Sequence, residues 1–205
     1  GDERSHGEAI LKRLGLNYSD LGCIDTPEPF FSFYRKDFFS KKEHNVCIIE
    51  NKDTFWSMKK NVLDSDSSLD IDMLIYGEGK KILSSFQFIE EFGLEPSGDK
   101  FYYFGDLDPE GINIFCELRD RYYFYNIMPL CKAYEAILEI GRTRELIKTP
   151  KQQRVSENNI RRFIHFFEKP WNLEIERLLE GGFYIPQEAL SATRIKERFG
   201  ITTYG

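Results

Sequence analysis

The sequence predicts an α/β protein built on a mostly parallel sheet flanked by helices, with a helical C-terminal extension. Three observations predict it. Short apolar runs recur at similar spacing: Val46-Cys47-Ile48-Ile49, Met73-Leu74-Ile75-Tyr76 and Phe101-Tyr102-Tyr103-Phe104. Each run is continuous rather than alternating, as expected of strands buried on both faces. Helical stretches separate them, so the order reads β-α-β-α-β-α and calls for right-handed crossovers.

Taken in order, Gly7 to Leu14 reads as a short helix and Phe30 to Tyr34 as a further strand. Thr54 to Leu63 carries Phe55, Met58 and Val62 on one helical face, and Lys80 to Phe92 carries Ile82, Leu83, Phe86 and Ile89. After the third run, Asp108 suits an N-cap and Pro109 the first helical position, and Ile112, Phe115 and Leu118 form the apolar stripe. Tyr125 to Leu130, with Pro129 near its end, predicts a fourth strand. Beyond Cys131 the periodicity is helical: Tyr134, Ile137 and Leu138 up to Gly141, then Ile160 to Phe167, then Trp171 to Leu179 up to Gly181-Gly182. A last helix is expected between Pro186 and Gly200. The organisation read from this is a lead-in over 1–45, an α/β core over 46–135 and the helical extension over 136–205.

With 41% hydrophobic and 15% aromatic residues the chain can build a core. No apolar stretch approaches the roughly 20 residues of a membrane helix, and no signal peptide is apparent. The start at Gly1-Asp2-Glu3 suggests a piece of a longer protein. Cys23, Cys47, Cys116 and Cys131 have no zinc-like spacing and read as reduced thiols of a cytoplasmic protein. The net charge of −6 argues weakly against nucleic acid. Arg142, Arg144, Lys148, Lys151, Arg154, Arg161, Arg162 and Lys169 are nevertheless opposed only by Glu145, Glu157 and Glu168. Such a stretch is either a solvated face or a phosphate-binding one.

The chemistry gathers at the strand tips. The first run ends in Glu50-Asn51-Lys52, the second in Gly77-Glu78-Gly79 and the third in Gly105-Asp106-Leu107-Asp108. In a parallel sheet these tips share the edge where open α/β sheets bind ligands. Glu50, Asp106 and Asp108 are therefore expected neighbours. Two unit charges about 4 Å apart repel by roughly 4 kcal/mol at an effective dielectric near 20, so protons or a cation must relieve them. An all-oxygen set without His or Cys favours Mg²⁺ or Mn²⁺ and metal-assisted phosphoryl chemistry. The plainer alternative is a turn at Asp106, a helix cap at Asp108 and a helix-dipole role for Glu110. Lys52 and Lys80, with Gly77 and Gly79 for close backbone approach, are weaker candidates for phosphate contacts, as are Arg161 and Arg162. Gly77-Glu78-Gly79-Lys80-Lys81 is only half of a dinucleotide-binding fingerprint, because Ile82 stands where its third glycine belongs. His44 and His165 have no partners suited to a nucleophilic triad.

Glu50 in "VCIIENK", followed by Asp106, Asp108 and Gly111 in "FGDLDPEG", resembles the Toprim domain of topoisomerases, primases and related nucleases. "IIENKDTF", "IYGEG", "YYFGDLDPEGINIF" and "QEAL" together resemble the C-terminal domain of the JetD family, the nuclease subunit of the Wadjet plasmid-defence system. The resemblance implies a Toprim-like, Rossmann-like fold. It implies Mg²⁺ or Mn²⁺ held through Glu50, Asp106 and Asp108, with Glu50 also active in proton transfer. It further implies a homodimer that cleaves double-stranded plasmid DNA alongside a condensin-like SMC–kleisin complex. Topoisomerase VI and Spo11 relatives use a winged-helix tyrosine that has no recognisable counterpart here, so water is the expected nucleophile.

Two other functions compete with a metal-dependent endonuclease. One is a catalytically silent module for dimerisation or DNA docking. The other is a D-x-D phosphatase or nucleotide-sugar transferase. The phosphatase lacks a hydroxyl residue soon after Asp108, and the transferase leaves Glu50 unexplained.

Overall fold

The computed structural model describes residues 3–22, 27–63 and 67–200. Its strands are β1 (Phe31–Tyr34), β2 (Asn45–Ile49), β3 (Met73–Tyr76), β4 (Lys100–Phe104), β5 (Ile127–Pro129), β6 (Ile147–Lys148) and β7 (Phe183–Tyr184). Its helices are α1 (Glu3–Leu14), α2 (Lys52–Met58), α3 (Ile82–Ser85), α4 (Pro109–Arg121), α5 (Cys131–Gly141), α6 (Glu157–Ile164), α7 (Trp171–Glu180) and α8 (Ala192–Phe199). The main sheet has the order β1-β3-β2-β4-β5, and β6 pairs with β7 in a small second sheet. Within the main sheet only β1 runs antiparallel to its neighbour. This is the mostly parallel α/β architecture the sequence predicts, consistent with a Toprim-like or Rossmann-like fold.

The continuous apolar runs follow from position. β2 lies between β3 and β4, and Val46 through Ile49 have no exposed surface. Met73, Leu74, Ile75, Phe101 and Phe104 are equally buried, so neither face of these strands has a polar side to show. β1 extends the sheet from before residue 46 by pairing Phe31–Tyr34 with Tyr76–Met73. β5 sits at the other edge, where Pro129 removes no interior ladder bond.

Strand order also fixes where a crevice forms. The chain leaves β2 towards β3 on one side and leaves β4 towards β5 on the other. β2 and β4 are adjacent and parallel, so the ends of this pair form the topological switch point of the sheet.

Three helical segments differ from the periodicity. The helix expected over 54–63 starts earlier, capped by Asn51, and passes after Met58 into a π-helical turn, Lys59–Leu63. The stretch over 80–92 is mostly 3₁₀ (Gly79–Lys81 and Phe86–Phe92) around the short α3. Ile89 follows the buried Phe86 by three residues, and i, i+3 positions eclipse in a 3₁₀ helix, so that geometry buries both. The expected last helix is interrupted: a 3₁₀ turn, Gln187–Ala189, precedes α8. Gln187 is diverted to the strand tips, as described below. Of the cysteines, Cys47 and Cys116 are buried free thiols and Cys131 is a partly buried one, while Cys23 lies outside the described residues.

Candidate active site

Glu50 directly follows β2, and Asp106 follows β4 by two residues. The register sets Ile49 opposite Phe104, and the Glu50 amide continues the ladder by donating to the Phe104 carbonyl at 3.0 Å. The two acidic tips are thus level at the switch point. Gly105 makes their closeness possible: a Cβ there would fall on Glu50 Oε2 and on the Tyr103 hydroxyl. Tyr103, itself buried, donates to Glu50 Oε2 at 2.6 Å and fixes the carboxylate over the glycine. The Gly105 amide is held by the Tyr134 hydroxyl at 2.9 Å.

Asp108 caps α4 and accepts from the Gly111 amide at 2.7 Å, with Pro109 at the first helical position. Gly111 has no room for a side chain, because a Cβ would meet the Asp106 carbonyl. The cap reading of Asp108 is therefore correct locally, and the residue is only 5% exposed. Burial raises all three groups. Glu50 is pushed up to about 7, first by burial, against the Tyr103 hydrogen bond, and further by the charges of Asp106, Asp108 and Glu110. Asp106 is pushed up to about 6 by burial, with Glu188 and Asp108 adding to it. Asp108 is also raised, chiefly by burial.

A residue far along the chain joins the tips. Gln187 has no exposed surface. Its Oε1 accepts from the Asn51 amide at 2.8 Å, its amide donates to Asp106 Oδ1 at 2.7 Å, and its Nε2 donates to the Phe104 carbonyl. The reciprocal backbone pair Leu107 and Ile185 fastens the same segment to the end of β4. Next to it, Glu188 accepts from Asn51 Nδ2. Sequence reasoning noticed "QEAL" only as part of a resemblance and assigned it no role. It gave Tyr103, Gly105 and Gln187 no role beside Glu50, since no periodicity links them to it.

The weaker candidates fall in different places. Lys52 is exposed in the first turn of α2. Gly77 is buried and continues the ladder to Ile49 at 2.8 Å, while Gly79 turns with a φ of +60°. Lys80 pairs with Glu110 at 3.1 Å, and Glu78 pairs with Lys81 at 3.0 Å. Arg161 pairs with Glu157, and Arg162 makes a two-pronged pair with Asp120. At 1.5 Å per residue, Asp120 lies about 18 Å along α4 from Asp108.

Among the described residues, no three His, Cys, Asp or Glu side chains are already drawn together as a metal cage. Each carboxylate is instead held by its own protein donor. The donor chemistry nonetheless fits a hard divalent ion. The set is all oxygen and largely buried. No Lys or Arg among the described residues forms an ion pair with Glu50, Asp106 or Asp108.

Fold and site together define an α/β protein of the open, mostly parallel-sheet class, with acidic residues following the strands at its switch point. A family model described as the Wadjet protein JetD, C-terminal, matches residues 26–197, and the chain belongs to that family. Membership ties it to the Wadjet defence system. No curated protein matches the chain.

Proposed function

We propose that the chain is a Mg²⁺- or Mn²⁺-dependent endonuclease that hydrolyses the phosphodiester backbone of plasmid DNA. The observation that supports this reading is the placing of Glu50 and Asp106 just beyond the paired ends of β2 and β4, with Asp108 two residues on, all three raised by burial and none in an ion pair among the described residues. Glu50, Asp106 and Asp108 would hold the ion, which when bound polarises a phosphoryl group and acidifies water.

The chain's own residues do the positioning. The Tyr103 hydroxyl occupies Glu50 Oε2. That leaves Oε1 to take the proton of an attacking water. The Gln187 and Gly111 amides each hold one aspartate oxygen, which fixes the direction of the remaining lone pairs. Lys52, exposed beside Glu50, is available to a phosphate. The reading carries with it a homodimer acting in the cytoplasm with condensin-like SMC–kleisin partners. No helix among the described residues is long and apolar enough to cross a membrane.

The test is incubation of supercoiled plasmid with Mn²⁺, comparing the unaltered chain with Glu50→Ala and Asp106→Ala. Nicking or linearisation is expected, slowed by at least about 100-fold in both variants. Equal rates in all three would leave a silent module for dimerisation or DNA docking.

A further inference from the structure

The basic stretch that looks uniform in sequence divides into two kinds of cation. Arg142, Arg161 and Arg162 are each tied to an acid, Glu174, Glu157 and Asp120 respectively. Arg144, Lys148, Lys151, Arg154 and Lys169 form no ion pair among the described residues, and of these only Lys151 and Arg154 line a common cavity. Both lie on the loop between β6 and α6, and both line a cavity of about 450 Å³ whose wall includes Pro109, the residue directly after Asp108.

The loop is anchored, so the two cations have a defined place. The Thr149 amide donates to the Gly182 carbonyl at 2.9 Å. In the middle, Gln153 Nε2 reaches Glu110 Oε2 at 3.3 Å. At the end, Asn113 Nδ2 of α4 donates to the Arg154 carbonyl at 2.6 Å. Glu110 and Asn113 are both on α4, whose first turn adjoins Asp108, so the loop is fastened to the helix that starts at the acidic tip. Two side-chain atoms of cavity-lining residues, Thr149 Oγ1 and Gln153 Oε1, are buried without a hydrogen-bond partner. Two cations on one anchored loop, lining one cavity, are charged donors of the kind phosphate oxygens take. Glu180 is the one acid on the lining.

We propose that the groove formed by residues 149–155 against the start of α4 is a binding track for the phosphate backbone of duplex DNA. Lys151 and Arg154 are its contacts. The choice of DNA rests on the nuclease reading above; the track itself rests on the anchored loop and its unpaired cations. It orients the duplex so that one phosphodiester lies at the Asp106–Asp108 tip while a neighbouring segment lies in the groove. Arg161 and Arg162, neutralised by their acids, contribute little.

The experiment is fluorescence anisotropy of a labelled DNA duplex, without divalent ions so that nothing is cut, over a series of salt concentrations. The proteins are the unaltered chain, Lys151→Ala/Arg154→Ala, and Arg142→Ala/Arg198→Ala as a control. Arg198 is paired with Glu139, so the control makes the same change in net charge at paired sites. The proposal expects the first variant to bind at least about 10-fold more weakly, with a log–log salt slope shallower by about 2. The control should stay within about twofold. An unchanged affinity in the first variant, an equal loss in the control, or no binding by the unaltered chain would each overturn the track. Tighter binding of duplex RNA than of DNA would overturn the choice of ligand. Plasmid cleavage separates the two proposals. If the chain binds DNA through the track but does not cut, the nuclease reading alone fails. If it cuts and Lys151→Ala/Arg154→Ala binds normally, the track alone fails.

Discussion

The acidic tips and the Arg161–Arg162 turn of α6 are both dense in charge, yet they are built in opposite ways. At the tips, like charges are gathered, largely buried and held by neutral donors: a tyrosine hydroxyl and two backbone amides. On α6, opposite charges meet in solvent, with Arg161 and Glu157 spaced i, i+4 on one helix. The second arrangement is ordinary surface electrostatics of small value. The first is unfavourable unless something compensates it, and proteins keep such arrangements chiefly at functional sites. Charge density in sequence therefore says less than whether each charge has found a partner.

The comparison can be broken most forcefully at Gly105. Gly105→Ala pushes a methyl group into Glu50 and the Tyr103 hydroxyl. It is expected to lower stability by about 3 kcal/mol or more, read by urea denaturation. A neutral result would mean that the carboxylate is not seated where the tips place it.

Gln187→Ala comes next. It strands the Asn51 amide and leaves the Phe104 carbonyl with only the Glu50 amide as donor, at a cost of roughly 1–3 kcal/mol, with faster amide exchange at Asn51. Retained protection there would show that Gln187 does not hold the tips.

Glu50→Gln should act in the opposite direction. The folded carboxyl titrates at about 7, above its ordinary 4.5, so the folded state binds the proton more tightly. That contribution is complete below about pH 4.5 and is lost as pH rises to about 7. In chelator, the variant should therefore match the unaltered chain near pH 4 and exceed it by roughly 3 kcal/mol at pH 8. A variant less stable at pH 8 would contradict the like-charge account. Arg161→Ala marks the small end: a change within about 0.5 kcal/mol, tested in the same denaturation series. A loss above 1 kcal/mol would make α6 more than a solvated face.

Much of this architecture is readable along the chain. The runs at Val46, Met73 and Phe101 are continuous because β2, β3 and β4 are covered on both faces. Asp108 and Pro109 mark a helix start by local chemistry alone. Glu50 and Asp106 are legible as strand-tip acids, since parallel strands put their ends at one edge. What is not legible depends on long-range pairing. Gln187 meets Asn51 across 136 residues, and no local preference encodes that. The same holds for Arg162 and Asp120, and for Gln153 and Glu110, so sequence could not tell the paired cations from the unpaired Lys151 and Arg154. The 3₁₀ winding of 86–92 was hidden because an i, i+3 repeat suits both helix types.

The most direct test of the central claim is calorimetric titration of Mn²⁺ near pH 6.5, for the unaltered chain and for Asp106→Asn. If the tips hold a divalent ion, the unaltered chain binds it and releases protons from Glu50 and Asp106, visible as a dependence of the heat on the buffer's ionisation enthalpy. Asp106→Asn should then bind at least about 10-fold more weakly. No Mn²⁺ binding by the unaltered chain, or equal binding by the variant, would contradict the account.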